Sequence, residues 1–154
     1  MRLMRYEILP HTADGKFRAY GATLEEAFAN AALATASLMW DWAQVEPRLE
    51  IPVDLRGRDH EQLLVKFLGE IVYLLDTRKF LLAGVEGLRI DEAPAVPLRL
   101  TARLRGDTLT ERSEIYGAVK AVTYNELKIE RCACGAAGPE GGSGGYAVQV
   151  VVDM

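Results

Sequence analysis

The sequence predicts an α+β fold, a single two-layer α/β sandwich in which a mixed, mostly antiparallel sheet is packed by two main helices. Three observations lead there. Two stretches carry apolar residues at helical spacing behind helix-start signals, and short alternating segments precede, separate and follow them. Neither a regular βαβ alternation nor a Gly-rich phosphate loop interrupts that pattern. With 154 residues and 49% hydrophobic content, the chain can bury about two thirds of its unfolded surface in one core. Residues 1–154 are therefore expected to form one domain.

Residues 6–9 and 17–21 are predicted short strands, separated by the polar turn Pro10-His11-Thr12-Ala13-Asp14-Gly15, where Gly15 can supply a positive φ. Thr23-Leu24-Glu25-Glu26 is a capping box, with the Thr23 hydroxyl accepting from the amide of Glu26 and the Glu26 carboxylate from the amide of Thr23. Behind it Leu24, Ala27, Phe28, Ala31, Leu38 and Met39 share one side, so a helix is expected to end near Trp40 or Asp41. Glu25, Glu26 and Asn30 are expected in water.

Leu49, Ile51, Val53 and Leu55 alternate with Glu50, Pro52, Asp54 and Arg56, a strand with one wet face that Pro52 places at an edge or bulge. Asp59-His60-Glu61-Gln62 opens a second helix, and its stripe of Leu64, Phe67, Leu68, Ile71, Leu74 and Leu75 runs to Asp76 or Thr77. Residues 80–90 and 98–105 are predicted strands. In the second, Leu98, Leu100, Ala102 and Leu104 oppose Arg99, Thr101, Arg103 and Arg105, which form a basic edge.

The stretch 117–131 begins ambiguously, since Ala118, Val119, Ala121 and Val122 suit a short helix or a buried strand alike, and ends as a strand at 127–131. Residues 135–145 have a linker's composition and should carry no function. Tyr146 to Val152 is nearly continuously β-branched, as in an interior strand covered on at least one face.

A net charge of −4, from 18 Lys and Arg against 22 Asp and Glu, argues against holding duplex nucleic acid mainly through its phosphates. The charged start, Met1-Arg2-Leu3-Met4-Arg5-Tyr6-Glu7, lacks the pattern of a secretory signal, and the longest uncharged stretch falls short of a membrane span. A cytoplasmic protein is expected. Cys132 and Cys134 with two histidines do not by themselves make a structural zinc site, and their ordinary reading is reduced thiols in a surface hairpin.

Candidate chemistry is sparse. With His11 and His60 the only histidines, no nucleophilic triad is convincing. What remains is acidic: Asp14 in the first turn and Asp153 leaving the last strand. Spacing alone does not bring them together. If the N-terminal strands lie beside the C-terminal one, the two carboxylates repel unless a hard divalent cation binds between them, and a terminal carboxylate or main-chain oxygen at Met154 could join. The ordinary reading is two solvated acids. Lys120 with Tyr124 forms another candidate pair, against the ordinary reading of a snorkelling surface lysine. Glu70 and Asp76 are read as helix-surface charge.

Several blocks taken together resemble the archease family. These are His11-Thr12-Ala13-Asp14, Arg18-Ala19-Tyr20-Gly21 and Thr23-Leu24-Glu25-Glu26-Ala27-Phe28 near the start, and Leu63-Leu64, Phe67-Leu68, Glu70, Tyr73-Leu74 and Asp76 in the second helix. Lys120-Ala121-Val122-Thr123-Tyr124 and Val151-Val152-Asp153-Met154 complete the likeness, which spans essentially the whole chain. The resemblance implies an accessory factor, not itself an enzyme, that helps an RtcB-type RNA ligase of tRNA splicing become guanylylated and turn over repeatedly. It implies a divalent-metal site, calcium in crystals of relatives and magnesium or manganese as alternatives, on Asp14, Asp153 and Met154. It also implies functional roles for His11 and Lys120, and contact with RNA only through the ligase. Gly15 stands where the family usually has Ile, which would loosen the turn, and Asn125 where it usually has His.

Two rival readings stay open at this point. One is a small metal-dependent phosphoester hydrolase built on the same acids. The other is an RNA-binding or chaperone-like module that uses Arg99, Arg103 and Arg105.

Overall fold

The computed structural model describes residues 5–10, 14–92, 97–132 and 144–154. The chain runs β1 (Tyr6–Leu9), β2 (Gly15–Gly21), α1 (Leu24–Ser37), a 3₁₀ turn (Trp42–Gln44) and β3 (Leu49–Gly57). It continues through α2 (His60–Arg78), β4 (Phe80–Asp91), β5 (Leu98–Thr108), β6 (Ala121–Val122), β7 (Lys128–Cys132) and β8 (Gly145–Asp153). The α+β class with two main helices stands. The strands, however, divide between two sheets instead of forming one, and the described strand pairs are all antiparallel. One sheet has the order β1-β2-β8-β6 with β7 also paired to β8, and the other the order β3-β5-β4.

The last strand is central because its residues are apolar on both faces. Val148, Val150 and Val152 are fully buried toward the core, while Gln149 and Val151 are buried on the opposite side. Gln149 keeps its polar atoms satisfied there: its amide donates to Glu126 O at 2.9 Å and its carbonyl accepts from Arg18 at 2.7 Å.

Helix α1 begins at the predicted cap, with Glu26 N donating to Thr23 Oγ1 at 3.1 Å, but the Glu26 carboxylate accepts from Ala22 N at 3.3 Å, one residue earlier than the capping box requires. The helix is not amphipathic with a single covered face. It packs against β2 and β8 of one sheet, β4 of the other, and α2, and Ala31, Ala32, Ala34 and Ala36 are fully buried because only small side chains allow such close approach from several sides. Asn30, expected in water, is buried and donates from Nδ2 to Tyr20 O at 2.7 Å. A buried amide is tolerated where a main-chain acceptor faces it.

Helix α2 follows its stripe closely, starting from Asp59, whose carboxylate accepts from Gln62 N at 2.8 Å. It ends on Lys79 in the left-handed region (φ 54), whose N–H caps Leu74 O and Leu75 O. Leu63, Leu64, Phe67 and Leu68 are fully buried, and α2 touches β3, β4 and β5 on one side and β6 and β7 on the other. The core therefore lies between the two sheets with both helices in it. Beyond α1, Trp40 carries the connection to the second sheet: it is 1% exposed and donates from Nε1 to Leu82 O at 2.9 Å.

Pro52 sits in an edge strand, as its missing N–H requires. The predicted basic edge at 98–105 is corrected: β5 is the middle strand, and its arginines lie across from acids on both neighbours. Arg99 makes a two-pronged contact with Asp54 at 2.9 and 2.6 Å. Arg103 and Arg105 approach Glu50 at 3.6 and 3.1 Å, and Arg105 also reaches Glu86 at 3.4 Å. Alternation predicted the face correctly and said nothing about what would sit opposite.

The ambiguous 117–131 stretch resolves into β6 and β7 without a helix. Cys132, expected as a reduced thiol, is disulfide-bonded in this structure, and Cys134 lies outside the described residues. No helix among the described residues is long and apolar enough to cross a membrane.

Tyr20 gives the fold a measurable alkaline signature. Burial, and next to it the Glu7 carboxylate that accepts from its hydroxyl, push the Tyr20 pKa up to about 12. A phenol whose folded pKa exceeds its unfolded value near 10 contributes stability that is complete below that value and disappears as pH rises through about 12. We expect the ultraviolet difference titration of wild type against Tyr20→Phe to isolate one tyrosine that ionises at about 12. A tyrosine titrating near pH 10 in that difference would contradict the assignment.

Candidate metal centre at three strand ends

Ladder register brings the segments that carry the two acids side by side. In the β2–β8 pair Gly15 faces Val152, and the partners step in opposite directions from there. Asp14 precedes Gly15 and Asp153 follows Val152, so each acid is one residue beyond the last paired position of this ladder. Directly opposed residues within a ladder lie roughly 5 Å apart, and the two acids flank the last such pair. Asp14 itself sits in the bend before the strand, half-buried, and Asp153 is exposed.

A third strand end closes in from the other side. Ala121 faces Asp153 in the β6–β8 pair, and Lys120 N donates to Asp153 O at 2.7 Å. Thr123 tightens this seam, donating to Val151 O from its amide at 3.2 Å and from Oγ1 at 2.8 Å. The Lys120 main chain is thereby fixed beside Asp153 while the residue stays exposed. Across β2, Lys16 pairs with Glu126 at 3.0 Å.

Met154 is half-buried against Gly15. A Cβ on Gly15 would lie 2.9 Å from Met154 Sδ, 2.9 Å from Val152 Cγ2 and 3.0 Å from Leu38 Cδ1. This corrects the reading of Gly15 as a turn glycine: it belongs to β2, its φ is not in the left-handed region, and its lack of a side chain makes room for Met154. The absent side chain tightens the packing at the turn instead of loosening it.

Sequence reasoning missed the strap of residues 115–119 that backs the site. Tyr116 N donates to Met39 O at 2.9 Å and Tyr116 Oη to Ser37 O at 2.7 Å, which fastens the strap to the end of α1. A Cβ on Gly117 would overlap Leu38 O. No motif signals such contacts, because they depend on where a helix ends in space.

Carboxylates such as those of Asp14 and Asp153 are the donors that a hard divalent cation takes. Among the described residues no group of three or more His, Cys, Asp or Glu forms a ready cluster. His11 lies outside the described residues.

Residues 6–154 match the archease protein family (MTH1598/TM1083). The chain belongs to the archease family. It is 39% identical over 153 residues to the archease of Methanosarcina mazei, covering 97% of this chain and 96% of that protein. To the Pyrococcus furiosus archease it is 36% identical over 130 residues, with 84% and 90% coverage. The solution structure of Methanobacterium thermoautotrophicum protein 1598 superposes with a TM-score of 0.76 at 32% identity, covering 97% of this chain and 99% of that one. A crystal structure from Thermotoga maritima, of an archease and possible chaperone, shares the fold with a TM-score of 0.56 at 19% identity and full coverage of both chains. In this archease the space beside Gly15 is taken by Met154, Val152 and Leu38.

Proposed function

We propose that the protein is an accessory factor of an RtcB-type RNA ligase, promoting the ligase's guanylylation and repeated turnover and meeting RNA only through that partner. Family membership supports an accessory role. The mechanistic part is supported by one observation, the Gly15–Val152 pairing that Asp14 and Asp153 immediately flank.

In this reading Asp14 and Asp153 hold a divalent cation, calcium, magnesium or manganese, with an oxygen of Met154. When bound, such a cation supplies a positive charge that neutralises and orients phosphate oxygens. The chain's own residues set the geometry. The seam from Lys120 to Thr123 holds the end of β8 in place, and the strap and Leu38 hold Met154. Lys120 presents an ammonium to a nucleotide phosphate beside the acids, and the family likeness gives His11 a part in the same function. The rival in which Arg99, Arg103 and Arg105 bind RNA loses support because these side chains are engaged with Asp54, Glu50 and Glu86.

The test is ligation with the ligase limiting and RNA in excess, counting products per ligase with and without the protein. Turnover is expected to rise from about one to many. A count unaltered by the protein would remove the accessory reading. An arm with a generic phosphodiester and no ligase detects the hydrolase alternative, for which no turnover is expected.

A further inference from the structure

Away from the acid pair, an open groove of about 900 Å³ runs between the segment after α1 and the segment after β5. Buried Trp40 and Leu81 contribute to its lining. Five carboxylates also line it, from Asp41, Glu46, Asp107, Glu111 and Glu114. Only two cationic side chains, Arg48 and Arg112, oppose them. Arg48 is committed to the groove's own acids, lying 2.5 Å from Glu46 and 3.7 Å from Asp107. The groove is thus anionic in excess over what its own arginines neutralise, which disfavours an RNA backbone and favours a cationic occupant.

A second feature indicates that the occupant is a polypeptide. Ile115 and Tyr116, next along the chain from the groove wall, are 40% and 60% exposed although apolar and aromatic. Tyrosine beside a polar groove is a typical anchor of protein interfaces. The Tyr116 hydroxyl is held by Ser37 O and its amide by Met39 O, so its ring is displayed from a fixed backbone at no further ordering cost. The same strap continues to Gly117, which Met154 approaches.

We propose that this groove is a docking site for a basic, arginine- or lysine-bearing segment of a protein partner. In the reading above, on which only the partner's identity rests, that partner is the ligase. The groove grips it while the acid pair faces its nucleotide site.

The test begins without the ligase, with the full chain titrated by an octa-arginine peptide and followed residue by residue by amide NMR. Saturable binding is expected, with shifts confined to residues 41–48 and 107–116. The exposed pair Glu111→Lys and Glu114→Lys should weaken it at least about tenfold. Asp76→Lys with Glu130→Lys makes the same change in net charge outside the groove and should weaken it less than about threefold. The milder Glu111→Gln and Glu114→Gln pair should fall between. Equal weakening by both lysine pairs, shifts spread over the surface, no binding, or displacement of the peptide by oligouridine would each overturn the proposal. In the turnover assay the groove variant should need more protein to reach the same maximal turnover. If wild type itself fails to stimulate, the accessory reading falls while the peptide result still decides the groove.

Discussion

Alanine at Asp14 or at Asp153 is expected to lower calcium affinity by about a hundredfold, close to 2.7 kcal/mol, and to remove stimulation of the ligase. Each substitution takes away a carboxylate that would contact the ion, and the described residues offer no third acidic, histidine or cysteine side chain clustered there to replace it. Asn at either position keeps the shape and one oxygen but loses the charge, so it should fall between wild type and Ala. Neither acid belongs to the buried core, and metal-free stability should stay within about 0.5 kcal/mol of wild type. Calorimetric calcium titration of the protein alone separates loss of the site from loss of docking. Wild-type affinity in both single alanine variants would end the two-acid assignment.

Gly106→Ala is expected to cost about 3 kcal/mol, at the upper end of overpacking. Gly106 is in the middle strand of its sheet, facing Leu49 on β3 and Leu82 on β4. An added Cβ there would overlap Leu81 O and lie 2.8 Å from Phe80 Cζ. The principal obstacle is a carbonyl of the paired strand, so side-chain rotation does not relieve it and β4 and β5 must separate locally. The same substitution has the opposite sign at Gly69, inside α2, where a Cβ meets nothing within 4 Å. There the gain in helix propensity should raise stability by about 0.8 kcal/mol. Urea midpoints of the two variants test both. A Gly106→Ala protein as stable as wild type would show that the strands yield where the close approach says they cannot.

The elements visible in advance were those set by local chemistry. Helix α2 carries a cap and a stripe, though it runs to Arg78, past the expected Asp76 or Thr77, and β3 and β5 announce their faces by alternation. What could not be read is what depends on a partner remote in sequence. Asn30 looks like a wet helix position until Tyr20 O is found opposite it, and Arg99 looks like a basic edge until β3 brings Asp54 alongside. The division into two sheets is of the same kind, because a strand's pattern names its buried face and not its neighbour. Asp14 and Asp153 were legible as candidates, and their places beside the Gly15–Val152 pair required the fold. Gly15 was misread because a glycine after a polar turn signals backbone freedom, whereas here the need is for space beside Met154.

The two sheets differ in how far the chain must travel to close them. β3, α2, β4 and β5 occupy one continuous stretch from Leu49 to Thr108, so this part of the molecule can assemble from near neighbours. The other sheet joins opposite extremities: Gly15 and Val152 lie 137 positions apart, and bringing such distant segments together costs about 4 kcal/mol of chain entropy. The carboxylates stand where that closure is completed. A cation captured there at a hundred times its dissociation constant would add about 2.7 kcal/mol to the native state, acting as a clasp on the most entropically demanding join. Loss of the ion would therefore loosen β1, β2 and β8 before it disturbed α2, and metal occupancy would report whether the polypeptide has finished folding.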